Sequence, residues 1–157
     1  MKKREVYEGI IQKVTFPNKG LVNVEGEEKS VIVKNGIPGQ KVKFCVNKIR
    51  KGKAEGRLLE VLEKSPLETR EPVCSIFPAC GGCMYQTMSY EEQMKMKGDQ
   101  VKEILDAAIL EDYEFEGVKA SPKEFAYRNK MEFLLEMNTK TVRCHLGCTK
   151  REAHMMC

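Results

Sequence analysis

The sequence predicts an α+β protein in which a small five-stranded β-barrel precedes a cysteine-bearing loop, a helix and the start of a β-rich region. Short segments rich in Val, Ile and Phe alternate with turn residues near the amino terminus. Three cysteines then lie close together, and apolar residues with helical spacing follow them. We divide the chain into residues 1–65, 66–133 and 134–157.

The barrel is predicted from five strand-like segments: VYEGIIQKVTF, GLVNVEG, KSVIVKNG, QKVKFCVNKI and AEGRLLEVLE. Turn residues separate them, and a closed barrel suits so many short strands because closure removes exposed edges. In the fourth segment the apolar residues Val42, Phe44 and Val46 alternate with Lys43, Cys45 and Asn47. We therefore expect Cys45 to face solvent as a spare thiol.

The charge is unevenly distributed. Residues 1–65 hold 15 Lys and Arg against 8 Asp and Glu, whereas residues 66–157 hold 12 against 15. A basic module suits phosphate backbones, although an ordinary solvated lysine surface would have the same composition. The predicted RNA-binding residues of the barrel are Lys41, Lys43, Lys48, Arg50, Lys51 and Lys53.

A helix is predicted over residues 89–110, after the proline-bearing linker KSPLETREPVC. Ser89 and Glu92 form a capping box. The apolar residues that follow at helical spacing are expected to pack in a core; they are Met94, Val101, Ile104, Leu105 and Ala108. Gly98 within the helix costs about 1 kcal/mol relative to Ala.

Cys74, Cys80 and Cys83 form the pattern C-x5-C-x2-C and are predicted to bind a metal. Iron–sulfur clusters take four thiolates, commonly three close together and one remote, which fits this spacing. Structural zinc prefers paired C-x2-4-C motifs, and only one C-x2-C occurs here. Both metals remain open on spacing alone, as does no metal. The spacing is not the C-x3-C-x2-C of radical adenosylmethionine enzymes.

Residues 74–86, CSIFPACGGCMYQ, resemble the iron–sulfur signature of RNA uracil-5-methyltransferases. Residues 1–65 resemble the TRAM domain, an OB-like RNA-binding barrel, and MSYEEQMKMK and FAYRNKMEF are also similar to segments of that family. The resemblance implies a 4Fe–4S cluster without redox chemistry. It also implies a complete enzyme that methylates C5 of a uridine in ribosomal or transfer RNA, with S-adenosylmethionine as the donor. Arg128 and Lys130 match a segment placed near RNA, or form an ordinary solvated pair.

That reaction needs a cysteine nucleophile, a general base and a cofactor pocket. In the family these lie in a Rossmann-like domain downstream of the segments found here. We expect this chain to bind RNA, ribosomal rather than transfer RNA, as an inactive cytoplasmic monomer. S-adenosylmethionine would belong only to the full-length enzyme. The alternatives are a stand-alone RNA-binding adaptor and a small structural zinc protein.

Residues 134–157 do not continue the resemblance. Codons can be chosen for these residues such that one T added before the first codon shifts the reading frame. The shifted frame encodes SFGDEYKDGPLSLGMHKKGSTYDV, which is similar to the family's continuation. Our hypothesis is a one-base deletion near Phe133, which makes this tail an out-of-frame translation. Cys144, Cys148 and Cys157 would then be accidental, and the fourth cluster ligand would be missing or non-native. Neither histidine, His145 or His154, is expected to bind metal.

The amino-terminal segment MKKREVYEG has no apolar region typical of a signal peptide. The sequence also contains no run of about 18 apolar residues, so no membrane-spanning helix is expected.

Overall fold

The computed structural model describes residues 1–24, 26, 30–50, 53–78 and 83–127, together with the backbone of 134–138 and 143–147. Its elements in chain order are β1 Val6–Thr15, β2 Lys19–Asn23, β3 Val31–Lys34, β4 Lys41–Arg50, β5 Lys53–Glu63, α1 Tyr90–Ala108, β6 Leu134–Asn138 and β7 Arg143–Gly147. No described helix is both long enough and apolar enough to cross a membrane.

The first five strands form a closed barrel in the order β1-β2-β3-β5-β4, with β4 returning to β1. β3 pairs with β5 in parallel, and the other neighbouring strands are antiparallel. The predicted five-stranded barrel is therefore confirmed, and its architecture is that of a small OB-like β domain.

The barrel interior is filled by aliphatic side chains around one aromatic ring. Phe44 is fully buried at its centre. The buried residues packed with it are Ile11, Val14, Val22, Val24, Val31, Val33, Val42, Val46 and Ala54. β-branched residues pack well on a pleated sheet. The residues that favour the strands are therefore also the residues that fill the core.

The expected solvent orientation of Cys45 is wrong. Cys45 is buried, as are its neighbours Phe44 and Val46, so three consecutive residues of β4 are inaccessible. The pairing of β4 with β5 shifts register between Lys43 and Phe44 and again between Val46 and Lys48. Such irregularities disrupt regular pairing and re-aim side chains, so alternation does not assign every β4 residue to a face.

Helix α1 begins as the sequence predicts. The hydroxyl of Ser89 accepts a hydrogen bond from the Glu92 amide at 3.2 Å, which satisfies one of the unpaired amides of the first turn. The helix ends at Ala108, and the Ile109 amide donates to the Leu105 carbonyl at 2.8 Å. Its bounds agree with the predicted helix over 89–110.

The face of α1 that contacts the barrel is largely polar. The buried side chain of Gln100 donates to the Val14 carbonyl at 3.0 Å, and Glu103 lies 2.8 Å from the ammonium group of Lys13. Met96 adds an apolar contact with the barrel core. These helix residues are spaced i, i+4 and i+7, which places them on one side of the helix.

The predicted apolar stripe of α1 therefore does not form a buried core. Val101 and Ile104 remain 41% and 44% exposed, and Ala108 is exposed. Met94 and Leu105 are half-buried. Gly98 has a packing reason for its small size, because an added Cβ would lie 3.3 Å from a methyl group of Val118.

We predict that Phe44→Ala lowers the free energy of unfolding by about 3–5 kcal/mol, because it removes a buried ring and leaves a cavity. Urea unfolding followed by far-ultraviolet circular dichroism measures this in a chain without tryptophan. Phe125→Ala is the control, since that ring is half-exposed and its loss should cost about 0.5 kcal/mol. Equal effects of the two changes would contradict the placement of Phe44.

Candidate functional site

The predicted RNA-binding cations of β4 do not lie at one place. Lys41 and Arg50 are the two ends of this strand, which is roughly 30 Å long at about 3.3 Å per residue. Lys53 follows at the start of β5. Lys51 lies outside the described residues, as do Arg128 and Lys130.

The Lys41 end of β4 is balanced by carboxylates. The ammonium group of Lys41 lies 3.1 Å from a carboxylate oxygen of Glu63. This hydrogen bond raises the pKa of Lys41 above its ordinary value. Lys43 is paired with Glu8 on one neighbouring strand and with Glu60 on the other. An approaching phosphate therefore meets both signs of charge at this end.

The hairpin end of β4 and β5 has a different environment. Lys48, Arg50 and Lys53 are exposed there. Arg50 pairs with Lys53 across the hairpin, so two cations are direct neighbours, and Lys48 pairs with Glu55. Adjacent like charges repel each other, and a bound polyanion relieves that repulsion. This end is the candidate phosphate-binding surface.

The cysteine loop has two described thiols. Cys74 and Cys83 are both exposed, and the Phe77 amide donates to the Cys74 carbonyl at 3.1 Å to form a turn. Cys80 lies outside the described residues. Among the residues that are described, no three His, Cys, Asp or Glu side chains are grouped so that they could hold a metal ion. The three-cysteine site therefore stays a prediction.

Gln86 connects the two ends of the cysteine loop. Its side-chain oxygen accepts a hydrogen bond from the Cys74 amide at 3.2 Å, which joins residues twelve positions apart. The sequence marks Gln86 as part of the motif but assigns it no role. The contact fixes the backbone at the first cysteine relative to the segment that follows the last one.

Glu68 attaches this region to the barrel. Its carboxylate accepts from the Gln40 side chain at 2.9 Å, from the Thr87 hydroxyl at 2.8 Å and from the Ser65 amide at 2.8 Å. Gln40 precedes β4, and Thr87 follows the cysteine loop. One acidic side chain of the linker therefore holds both segments, a role that no local sequence pattern announces.

A second contact lies beside the first. The Tyr85 hydroxyl donates to the side-chain oxygen of Asn18, in the turn between β1 and β2. The Asn18 amide donates in turn to Asn35 at 3.2 Å, just after β3. Ile37, Tyr85 and Met88 form a small buried cluster beneath these polar groups. The residues that follow the cysteine loop are thus packed on the barrel.

Comparison with known proteins relates most of the chain to one group. This chain is 44% identical over 133 residues to an uncharacterized RNA methyltransferase of Caldanaerobacter subterraneus subsp. tengcongensis. The alignment covers 85% of this chain and 29% of the relative. Similarly named proteins of Clostridium tetani and Clostridium acetobutylicum are 41% and 37% identical, each over 85% of this chain and 28% of the relative.

The chain is therefore similar to part of each of these RNA methyltransferases. It spans less than a third of the length of these relatives. No protein-family model matches it. The resemblance to RNA methyltransferases is therefore confirmed, while the TRAM assignment and the iron–sulfur motif remain predictions.

We predict that Glu68→Ala lowers the free energy of unfolding by about 1–3 kcal/mol, because buried or half-buried donors lose their acceptor. The matched control is Glu71→Ala, which removes the same charge from a side chain that is 87% exposed. Urea unfolding compares the variants, and exchange of the Arg70 amide, which donates to the Thr87 carbonyl, reports on local loosening. Identical behaviour of the two variants would contradict the attachment role of Glu68.

Proposed function

We propose that this chain is the RNA-binding part of an S-adenosylmethionine-dependent RNA uracil-C5 methyltransferase, acting on ribosomal rather than transfer RNA. The observation that carries the proposal is an OB-like barrel with a cation-rich hairpin in a chain related to RNA methyltransferases. OB-folds bind oligonucleotides on a strand face and on the loops at its edge, including the loop between the fourth and fifth strands.

We propose that this part of the enzyme binds RNA and that methyl transfer takes place elsewhere. The hairpin cations Lys48, Arg50 and Lys53 would contact phosphates, which positions an RNA without reading its bases. Methyl transfer to C5 also needs a nucleophile, a base and a cofactor pocket. By the resemblance these three parts belong to a downstream domain, so we expect these 157 residues to bind RNA without methylating it.

For the cysteine loop we propose a 4Fe–4S cluster held by Cys74, Cys80 and Cys83. The donor chemistry fits, because Cys74 and Cys83 are exposed thiols on one loop whose ends are joined through Gln86. When bound, the cluster would supply a structural cross-link rather than redox chemistry. Gln86 would hold the Cys74 backbone, and the Glu68 contacts would hold the loop against the barrel. A fourth ligand is not assigned.

For residues 134–157 we propose out-of-frame translation. Three alignments each span 133 of the 157 residues, which leaves 24 residues unmatched in each case. This is the length of the segment 134–157. Sequencing the gene tests the idea: the proposal requires an in-frame continuation of the family sequence beyond the stop codon once one base is restored, and its absence would refute the proposal.

We predict that RNA binding weakens linearly in a plot of log affinity against log salt, because phosphate contacts release counterions. Replacing Lys48 and Arg50 by Gln should weaken binding and reduce the slope by about 1 per lost phosphate contact. Replacing Lys41 and Lys43 by Gln is the charge-matched control and should change the slope less, because acidic residues flank both lysines. Fluorescence anisotropy with a labelled oligonucleotide gives both quantities. An affinity independent of salt would overturn the RNA proposal.

We predict that anaerobic reconstitution with iron and sulfide gives a brown, oxygen-sensitive protein whose colour is lost in Cys83→Ala. Ser75→Ala, an exposed change beside Cys74, is the control and should keep the colour. Visible absorption and iron analysis measure cluster content. A colourless protein that instead binds one equivalent of zinc through the same cysteines would favour a structural zinc site.

A further inference from the structure

A groove of about 290 Å³ crosses the outer surface of the barrel over β3, β5 and β4. Its lining combines two amides, two cations, one carboxylate and apolar surface: Ile32, Lys34, Asn35, Asn47, Glu55, Gly56, Arg57 and Leu58. Neither Lys34 nor Arg57 belongs to the cation set predicted from the sequence.

Asn47 reaches this groove because of an irregularity in β4. Val46 pairs with Gly56 and Lys48 pairs with Glu55, so Asn47 is the extra residue between two consecutive pairs. A bulge of this kind re-aims a side chain and leaves its residue without a cross-strand partner. Asn47 is exposed, and its side-chain amide forms no hydrogen bond with any described residue.

The groove has two chemically different parts. Val33 pairs with Gly56, so Lys34 and Arg57 follow at the same level of the parallel pair. Ile32 pairs with Glu55. Ile32 precedes Lys34 by two residues, so the level of Ile32 and Glu55 lies roughly 7 Å along the strand from that of Lys34. Cations therefore mark one part, and Glu55 with Asn47 marks the other. Lys34 forms no ion pair with any described residue.

We propose that this groove binds one nucleotide of single-stranded RNA, with the phosphate at Lys34 and Arg57 and the base at Asn47 and Glu55. The inference rests on the proposed RNA-binding function and deepens it. A single strand is required because base edges are accessible to side chains only when the base is unpaired. Ile32 and Leu58 supply apolar surface for the base.

The carboxylate of Glu55 gives the groove a base preference. An ionised carboxylate only accepts hydrogen bonds, so it pairs with an amino group such as N4 of cytosine. Uracil has no amino group, and its one edge donor, N3–H, lies between two carbonyl oxygens whose negative partial charge repels the carboxylate. The groove therefore favours cytosine over uracil, and it reads a position other than the uridine proposed for methylation.

The test compares the affinities of the whole chain for labelled oligocytidine and oligouridine of equal length. The wild type should bind oligocytidine more tightly, and Glu55→Gln should bring the ratio of the two affinities toward one. Asn47→Ala should weaken oligocytidine binding roughly 3- to 10-fold, as for the loss of one hydrogen bond. Gln12→Ala, an exposed uncharged change on β1, should leave it unchanged.

Lys34→Gln tests the phosphate end against Lys119→Gln, which removes the same charge from an exposed position after α1. Only Lys34→Gln should reduce the salt slope, by about 1. Circular dichroism confirms that these exposed substitutions leave the fold intact. If the wild type binds RNA but the groove variants behave like their controls, the groove assignment alone is overturned. If the wild type binds neither oligonucleotide, the proposed function fails as well.

Discussion

The parallel contact between β3 and β5 is the constraint on which the rest of the structure depends. Among the described residues three pairs make it: Val31 with Ala54, Ile32 with Glu55, and Val33 with Gly56. Without this contact the five strands would leave two open edges, and closure is what removes edges from a small β protein. Gly56 is needed there, because an added Cβ would lie 2.7 Å from the ring of Phe44.

Closure has consequences on both sides of the sheet. Inside, it places Val31, Val33 and Ala54 against Phe44 in one core. Outside, it puts the end of β3 beside β5 and so creates the groove that Lys34 and Arg57 share. The hairpin cations lie on β4 and β5, which also line this groove. The core that stabilises the barrel and the surface proposed for RNA are therefore produced by one set of pairings.

The sequence predicted the strands, the barrel and the helix because these follow from local composition and periodicity. It could not place Cys45, because a register irregularity in β4 depends on the partner strand. It also misassigned the apolar stripe of α1, since the helix contacts the barrel through Gln100, Glu103 and Met96. Hydrophobic spacing identifies an apolar face but does not state what covers it.

In the candidate site, too, the sequence predicted what composition determines but not what contacts between distant segments determine. The count of charged residues identified a basic module. Strand pairing then distinguishes Lys41, which lies beside Glu63, from the hairpin end, where cations outnumber carboxylates. Glu68 and Gln86 join segments distant in sequence, and no local pattern identifies such contacts. Cys80 lies outside the described residues, so the metal site stays a prediction.

Amide chemical-shift mapping with a short single-stranded RNA shows whether the barrel binds RNA on its β3–β5–β4 surface. We predict that the largest shifts fall at the end of β3, the start of β5 and the bulge at Asn47. The amides of Lys41 and Lys43 should move little. Shifts concentrated at Lys41 and Lys43, or no shifts anywhere in the barrel, would show that RNA does not bind on this surface.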